Sequence, residues 1–415
     1  MKKSLTPLVF LIAFALMACL FASTGCTSNT EAQAKAYVTQ QNPLAIPDLL
    51  ERNGELANAV EWPKTKEKIA ELREKIAAKP GDIKLRLQAA SIFITEQRIT
   101  GEHHYYYKAI EKILDGILSI DPKNFEANVF KASLKMSLHQ FPEAKILAEQ
   151  AKAINPNNAY VYGILVDANV ELGNYAEAVA MSDKMQALKP SLESYSRASY
   201  LREIYGDYKG AIAAMKMAVQ AGLPGSEAQS WSRNILGDLY VATGQLVEAE
   251  AAYKENLALR ASYAPSMAGL AKLEAKNRNF TDAIKLVESA NAIMPGIAYE
   301  EQLADIYQQM GDTIKAAEKL EVVKKMYETD ATSGHSISLE LARFYIKQNQ
   351  FDAAQRYAME EYKIRPNNIE VNRELAWIAY QLKDIAKAKD YLKVAMSTGS
   401  KNPELLQRAA IISKG

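Results

Sequence analysis

Residues 235–253 read ILGDLYVATGQLVEAEAAY, and their spacing decides the fold. Leu236, Gly237 and Tyr240 fall at i, i+1 and i+4, on one face of a helix, and glycine in that set lets a second helix come close. Gly244 follows, where a left-handed residue ends the helix. Ala249 and Tyr253 stand four apart on a second helix, the alanine small enough to sit against Gly237 and the tyrosine large enough to fill the groove beside it. The stretch is an antiparallel helix hairpin. Alone it leaves a face bare, so it needs neighbours of the same kind.

Those neighbours are in the chain. The position of Ala249 recurs as Ala144, Ala178, Ala211, Ala283, Ala316, Ala354 and Ala388, and that of Gly237 as Ala132, Val166, Ser199, Ala271, Ala304, Ala342 and Ala376. Both series advance by the same steps of about 34 residues. Gly173, Gly206 and Gly311 repeat the turn, Tyr175, Phe280 and Phe351 begin second helices, and Pro156, Pro190, Pro295 and Pro366 follow them. Residues 82–400 therefore resemble the tetratricopeptide (TPR) repeat family. The resemblance implies an all-α, right-handed superhelical solenoid of about nine helix-turn-helix repeats over 81–400. Residues 403–412 are expected to form a capping helix at its end, within a tail of 401–415.

The composition is that of an ordinary globular chain, 415 residues with 48% hydrophobic and 24% charged. Fifty Lys and Arg against 49 Asp and Glu give no bulk field, so nucleic acid is not an expected partner. The two cysteines, Cys19 and Cys26, both precede the repeats, which leaves the solenoid without disulfide, redox pair or thiolate metal site.

Lys2 and Lys3 precede an apolar run over 8–22, too short for a comfortable membrane span and suited to a secretory signal. Ser23, Thr24 and Gly25 before Cys26 resemble the lipobox of bacterial lipoproteins, with Ser23 departing from its usual apolar residue. Cys19 is the alternative, but apolar residues would then follow the lipid. The resemblance implies cleavage of residues 1–25 and lipidation of Cys26, and Thr27 in place of aspartate suggests the outer membrane, facing the periplasm. Residues 26–43 read as a flexible tether and 44–80 as an N-terminal hairpin with helices at 47–60 and 63–78. In 83–122 an insertion carrying Gly101, His103, His104 and three tyrosines suggests a longer loop. Steps of 38 suggest further linker residues at 223–228 and 329–334, and the alanine series repeats every 105 residues, as a duplicated three-repeat block would.

No catalytic motif stands out: there is no HExxH, GxSxG or phosphate loop. His103 and His104, adjacent and unsupported by a second cluster, read as a solvated loop, and His139 and His335 as surface residues near turns. No enzyme activity, cofactor, metal or small-molecule substrate is expected. In tetratricopeptide proteins certain first-helix positions line a concave groove, and here they hold Tyr160, Asp167, Tyr200, Trp231, Asn234, Asp238, Lys272, Arg343, Arg373, Trp377 and Tyr380. Interfaces favour aromatics and arginine, and Arg373 with Trp377 and Tyr380 stands out as the strongest cluster. The lysine and asparagine clamp that chaperone-binding members use for a partner's C-terminus is absent. Charge along the groove runs from acidic to mostly basic. The expected function is a lipid-anchored scaffold binding envelope proteins in outer-membrane assembly, pilus biogenesis or exopolysaccharide export. The alternative is recognition of an envelope polymer such as peptidoglycan or exported polysaccharide.

Overall fold

Two helices joined by a turn with one left-handed residue make the unit of this fold, and the small residues decide how closely they approach. In the computed structural model, which describes residues 44–52, 54–57, 61–332 and 334–414, every described element is helical. The apolar run, both cysteines and the tether lie outside these residues.

A single turn, α1 (Gly54–Ala57), precedes α2 (Trp62–Ala78). Nine hairpins follow: α3 (Ile83–Thr100) with α4 (His103–Ile120), α5 (Phe125–Ser137) with α6 (Phe141–Ile154), α7 (Ala159–Glu171) with α8 (Tyr175–Leu188), α9 (Leu192–Ile204) with α10 (Tyr208–Ala221), α11 (Glu227–Ala242) with α12 (Leu246–Leu259), α13 (Ala264–Lys276) with α14 (Phe280–Ile293), α15 (Ile297–Met310) with α16 (Thr313–Thr332), α17 (Ser338–Lys347) with α18 (Phe351–Ile364), and α19 (Ile369–Gln381) with α20 (Ile385–Ala395). The capping helix α21 (Pro403–Ile412) buries Leu405, Ala409 and Ile412 against the last hairpin. Each helix packs on its hairpin partner and on the next repeat, and residues 46–415 form one unit.

The alanine series is the buried seam of the eight hairpins from α5 onward: Ala144, Ala178, Ala211, Ala249, Ala283, Ala354 and Ala388 have no exposed surface, and Ala316 is buried. Tyr253 lies against both Gly237 and Gly269, where an added Cβ would sit 2.4 and 2.6 Å from its ring. The tyrosine thus joins its own hairpin to the next. Gly173, Gly206, Gly244 and Gly311 hold the left-handed turn position as expected, but His139, Arg278, Asn349 and Lys383 hold it in other hairpins.

Four expectations change. Residues 46–52 are not helical: Arg73 donates to the Ile46 carbonyl, Tyr105 to the Asp48 carbonyl, and the Leu50 amide to the Tyr106 hydroxyl. Buried Arg52 donates to Glu96 at 2.7 and 2.9 Å, fixing this segment on α3. The expected loop around Gly101 is two residues long, because the extra residues lengthen α3 and α4 to 18 residues each and Tyr106 and Tyr107 become core. The second insertion likewise lengthens α16 to 20 residues, as its Lys, Glu and Ala content favours. His139 and His335, expected at the surface, meet instead across the superhelix, as follows, while His103 and His104 are exposed but open helix α4 and not a long loop.

Successive turns of the solenoid touch. The hairpin turns of the first repeats rest on the inter-repeat linkers about 194 residues further on. The Ser336 amide donates to the Leu138 carbonyl at 3.0 Å and Gln140 to the Gly334 carbonyl at 2.8 Å. Asn368 donates to the Glu171 carbonyl at 2.9 Å, the Ile369 amide to the Tyr175 hydroxyl at 2.8 Å, and Thr398 to the Ile204 carbonyl at 2.8 Å. Arg365, 3% exposed, pairs with Glu171 and lies 4.8 Å above the Phe141 ring. His139 and His335 stack edge to face at 4.3 Å, with His335 also against Tyr107, while His103 stacks on Tyr107 and approaches Gln97. At Gly173 and Gly206 the other turn comes so close that a Cβ would meet the Asn367 carbonyl carbon at 2.5 Å and the Gly399 oxygen at 2.6 Å. Glycine is required there twice over, by its positive φ and by this approach.

Candidate partner-binding cavity

The first helices of the repeats line the inside of the superhelix. Because Gly101 meets Met294 and Pro295, the chain from α3 to α14 completes one turn. Inside it lies a cavity of about 1190 Å³, walled by α3, α5, α7, α9 and α11 and by the linkers at 260–265 and 293–294. A second recess of about 720 Å³ continues from Asp238 and Pro265 along α13 and α15.

Three of the groove residues read from sequence, Tyr160, Tyr200 and Trp231, open into the first cavity with 39, 40 and 43% of their surface exposed. Burial of its hydroxyl, then Glu370 and Glu171, hold Tyr200 well above its ordinary pKa. Asp167 is committed to Arg197, whose Nε and Nη2 donate to it at 2.9 and 2.6 Å. Arg197 also donates to the Gly163 and Glu193 carbonyls, so its charge is spent within the wall.

Asp238 accepts from the Tyr253 hydroxyl at 2.8 Å and from Asn234 at 3.2 Å. Burial raises its pKa, with Lys272 and the tyrosine hydrogen bond opposing. Asn234 is itself buried and accepts from Ser266, which in turn accepts from Asn256, so it belongs to a polar chain between repeats and not to a free surface. Lys272 is exposed in the second recess. Glu203 and Glu227 also line the first cavity, and among the described residues neither carboxylate has a hydrogen-bond or ion-pair partner. Burial raises Glu203 further, with Glu370 and Asp238 adding to it. Glu203 is one of the acidic groove residues expected from sequence, with Asp167, Glu171 and Asp238, whereas Glu227, at the first position of α11, was not among them.

The other candidates are engaged elsewhere. Arg343 pairs with Glu370 and Glu374, and Arg373 with Glu374, which Arg408 of the capping helix also reaches at 2.6 Å. Burial alone would raise Glu374, but Arg373, Arg343 and Arg408 hold its carboxyl down at about 2. Trp377 stacks on Tyr380 at 5.7 Å and lies under the Arg408 guanidinium at 5.4 Å. The structure thus places Arg373, Trp377 and Tyr380 in the attachment of the C-terminal cap; of the expected basic half of the groove, Arg343, Lys347 and Arg373 are neutralised by nearby carboxylates, while Lys272 and Lys276 line the second recess. The adjacent Arg373–Glu374 pair and Glu370 were the available signal.

Among the described residues no set of three metal-ligating side chains converges, and no helix is long and apolar enough to cross a membrane.

No family model and no curated protein matches the sequence. Among solved structures, the human IFIT1 dimer with m7Gppp-AAAA superposes with a TM-score of 0.51 at 14% identity, over 77% of this chain and 72% of that one. The Cut9–Hcn1 hetero-tetramer of the APC/C gives 0.48 at 13% identity, over 93% of this chain and 65% of that chain, so this chain spans less than two thirds of it. Pseudomonas aeruginosa pilF gives 0.40 at 16% identity, over 49 and 92%. At these identities the likeness is one of fold. With the nine hairpins and their small-residue seam, the chain is a tetratricopeptide-like solenoid.

Proposed function

We propose that this chain is a protein-binding scaffold whose first superhelical turn holds a segment of a partner, acting from a lipid anchor in the bacterial envelope. The observation that carries the binding reading is the cavity in that turn, where Tyr160, Tyr200 and Trp231 stand open although the packing of their helices does not require it. Large, rigid aromatics in a recess are the residues that bind at low entropic cost. The anchor rests on Cys26 and the apolar run before it, and the outer membrane on Thr27. Assembly or export machinery is the setting such an anchored solenoid suits. The polymer reading, as carried by the two tryptophans, asks for Trp231 and Trp377 on one platform, whereas Trp231 opens into the cavity and Trp377 is covered by Arg408.

The test is a crosslinking pull-down from envelopes, quantified by mass spectrometry. A Tyr160, Tyr200 and Trp231 triple alanine variant should lose partners that a variant of the outward Ile146, Val247 and Ile314 keeps; these last are 58, 78 and 73% exposed. Equal recovery by the two folded variants would reject the cavity as the site.

A further inference from the structure

The walls of the first-turn cavity are chemically uneven. Once Asp167 is paired with Arg197 and Glu171 with Arg365, the charges left facing the space are Glu193, Glu203, Glu227 and Asp238, with Arg98 on α3 and Arg260 at the end of α12, near Glu227. Glu193 is partly satisfied by Ser191 and Asp238 by Tyr253, while Glu203 and Glu227 have no partner among the described residues. Trp231 follows Glu227 by one helical turn, and Tyr200 precedes Glu203 by three residues. Each carboxylate is therefore set beside an open aromatic ring on its own helix. Carboxylates next to exposed ring faces, in a recess where burial disfavours the bare charge of Glu203 and Asp238, match a cation on a long apolar stem.

Resting on the reading of this cavity as the partner site, we infer that it recognises a lysine- or arginine-bearing segment of a protein, whose cationic heads meet Glu203, Glu227 and Asp238 and whose stems lie along Tyr200 and Trp231. The occupant is a protein segment and not a free polyamine because the cavity runs on from α9 and α11 to α3 and into the second recess. A chain several residues long can follow that path, with Arg98 on α3 taking an acidic residue or carboxylate. An acidic partner is disfavoured at the α9 and α11 wall by like charge.

The experiment titrates purified full-length protein by calorimetry with three short synthetic peptides, alternating serine with lysine, with glutamate, or with asparagine, and with spermidine. The lysine peptide should bind, and its affinity should fall about tenfold or more between low and moderate salt, since the contacts are ionic. The glutamate and asparagine peptides and spermidine should bind at least about tenfold more weakly. Glu203→Gln, which removes no contact within the protein, should weaken the lysine peptide by about three- to tenfold while leaving the helical spectrum unchanged. Equal binding of the glutamate peptide, tighter binding of spermidine, or indifference to Glu203→Gln would overturn the inference. The two readings fail separately. If Trp231→Ala loses envelope partners in the pull-down and Glu203→Gln keeps them all, the cavity stands as the site and its cationic preference falls.

Discussion

Gly173→Ala set against Gly244→Ala isolates the contact between superhelical turns. Both glycines end the first helix of a hairpin with φ of +78° and +76°, so alanine at either pays the same left-handed cost, about 1 to 2 kcal/mol. Their surroundings differ. A Cβ on Gly244 meets nothing within 4 Å, whereas one on Gly173 lies 2.5 Å from the Asn367 carbonyl carbon and 2.6 Å from its oxygen. Backbone cannot swing aside as a side-chain tip can, so the seam must strain or part. Straining it is an overpacking cost of about 1 to 3 kcal/mol. Parting it gives up the Asn368 and Ile369 hydrogen bonds and the Arg365–Glu171 pair, of similar total size. Gly173→Ala should therefore be less stable than Gly244→Ala by about 1 to 3 kcal/mol, with Gly311→Ala behaving like Gly244→Ala. Urea unfolding followed by circular dichroism reads the difference. Since repeat arrays can unfold in parts, hydrogen exchange at the Ile369 amide gives the local reading: protection kept in Gly244→Ala and lost in Gly173→Ala. Identical stabilities, with Ile369 equally protected in both, would refute the seam.

Acid should loosen the same seam through His335. Burial, His139 and His103 lower its pKa to about 4, so the unfolded or parted state takes up the proton first as pH falls below about 6.5. Stability from this group is complete above that pH and declines by about 1 to 3 kcal/mol toward pH 4; a His335→Phe variant should lack the decline. The comparison with wild type also removes the opposite trend of Glu171, raised to about 7 chiefly by burial. Glu374→Ala should cost about 3 to 5 kcal/mol and free α21 to early proteolysis, because it removes the buried carboxylate that Arg343, Arg373 and Arg408 share and leaves them only Glu370 and the more exposed Glu404; normal resistance to protease would argue against the cap attachment. Ala249→Leu should cost about 1 to 3 kcal/mol by overpacking its hairpin, and an unchanged unfolding midpoint would count against the seam of small residues. Cys26→Ala should shift the protein from membrane to soluble fractions, and wild type that incorporates no labelled fatty acid would remove the anchor from the account.

The hairpins were legible because their constraint is local and repeated. Ala249 and its equivalents face the same small volume every 34 residues or so, and any larger side chain would push the helices apart. The capping helix was legible from its own amphipathic pattern. The turn contacts were not, since Leu138 with Ser336 or Glu171 with Asn368 have no period and involve ordinary residues far apart in sequence. Closure of the turn also sorted the groove. Tyr160, Tyr200 and Trp231 remained open, while Arg343 and Arg373 were consumed by Glu370 and Glu374, three residues before and one after Arg373 on its own helix. Reading such positions from sequence requires pairing each charge with its neighbours along the helix before assigning it to a partner. The non-glycine turn residues His139, Arg278, Asn349 and Lys383 escaped for a different reason: the flanking helices impose the left-handed conformation, so the residue need not signal it.

The most direct test of the closed superhelix is a distance across it. Spin labels at Tyr205→Cys and Lys401→Cys, in a chain whose Cys19 and Cys26 are replaced by serine, flank the contact at which a Cβ on Gly206 would meet Gly399. The account predicts one narrow, short-distance population by pulsed electron resonance. A broad distribution centred at the separation of an open superhelical pitch would contradict it, and with it the first-turn cavity.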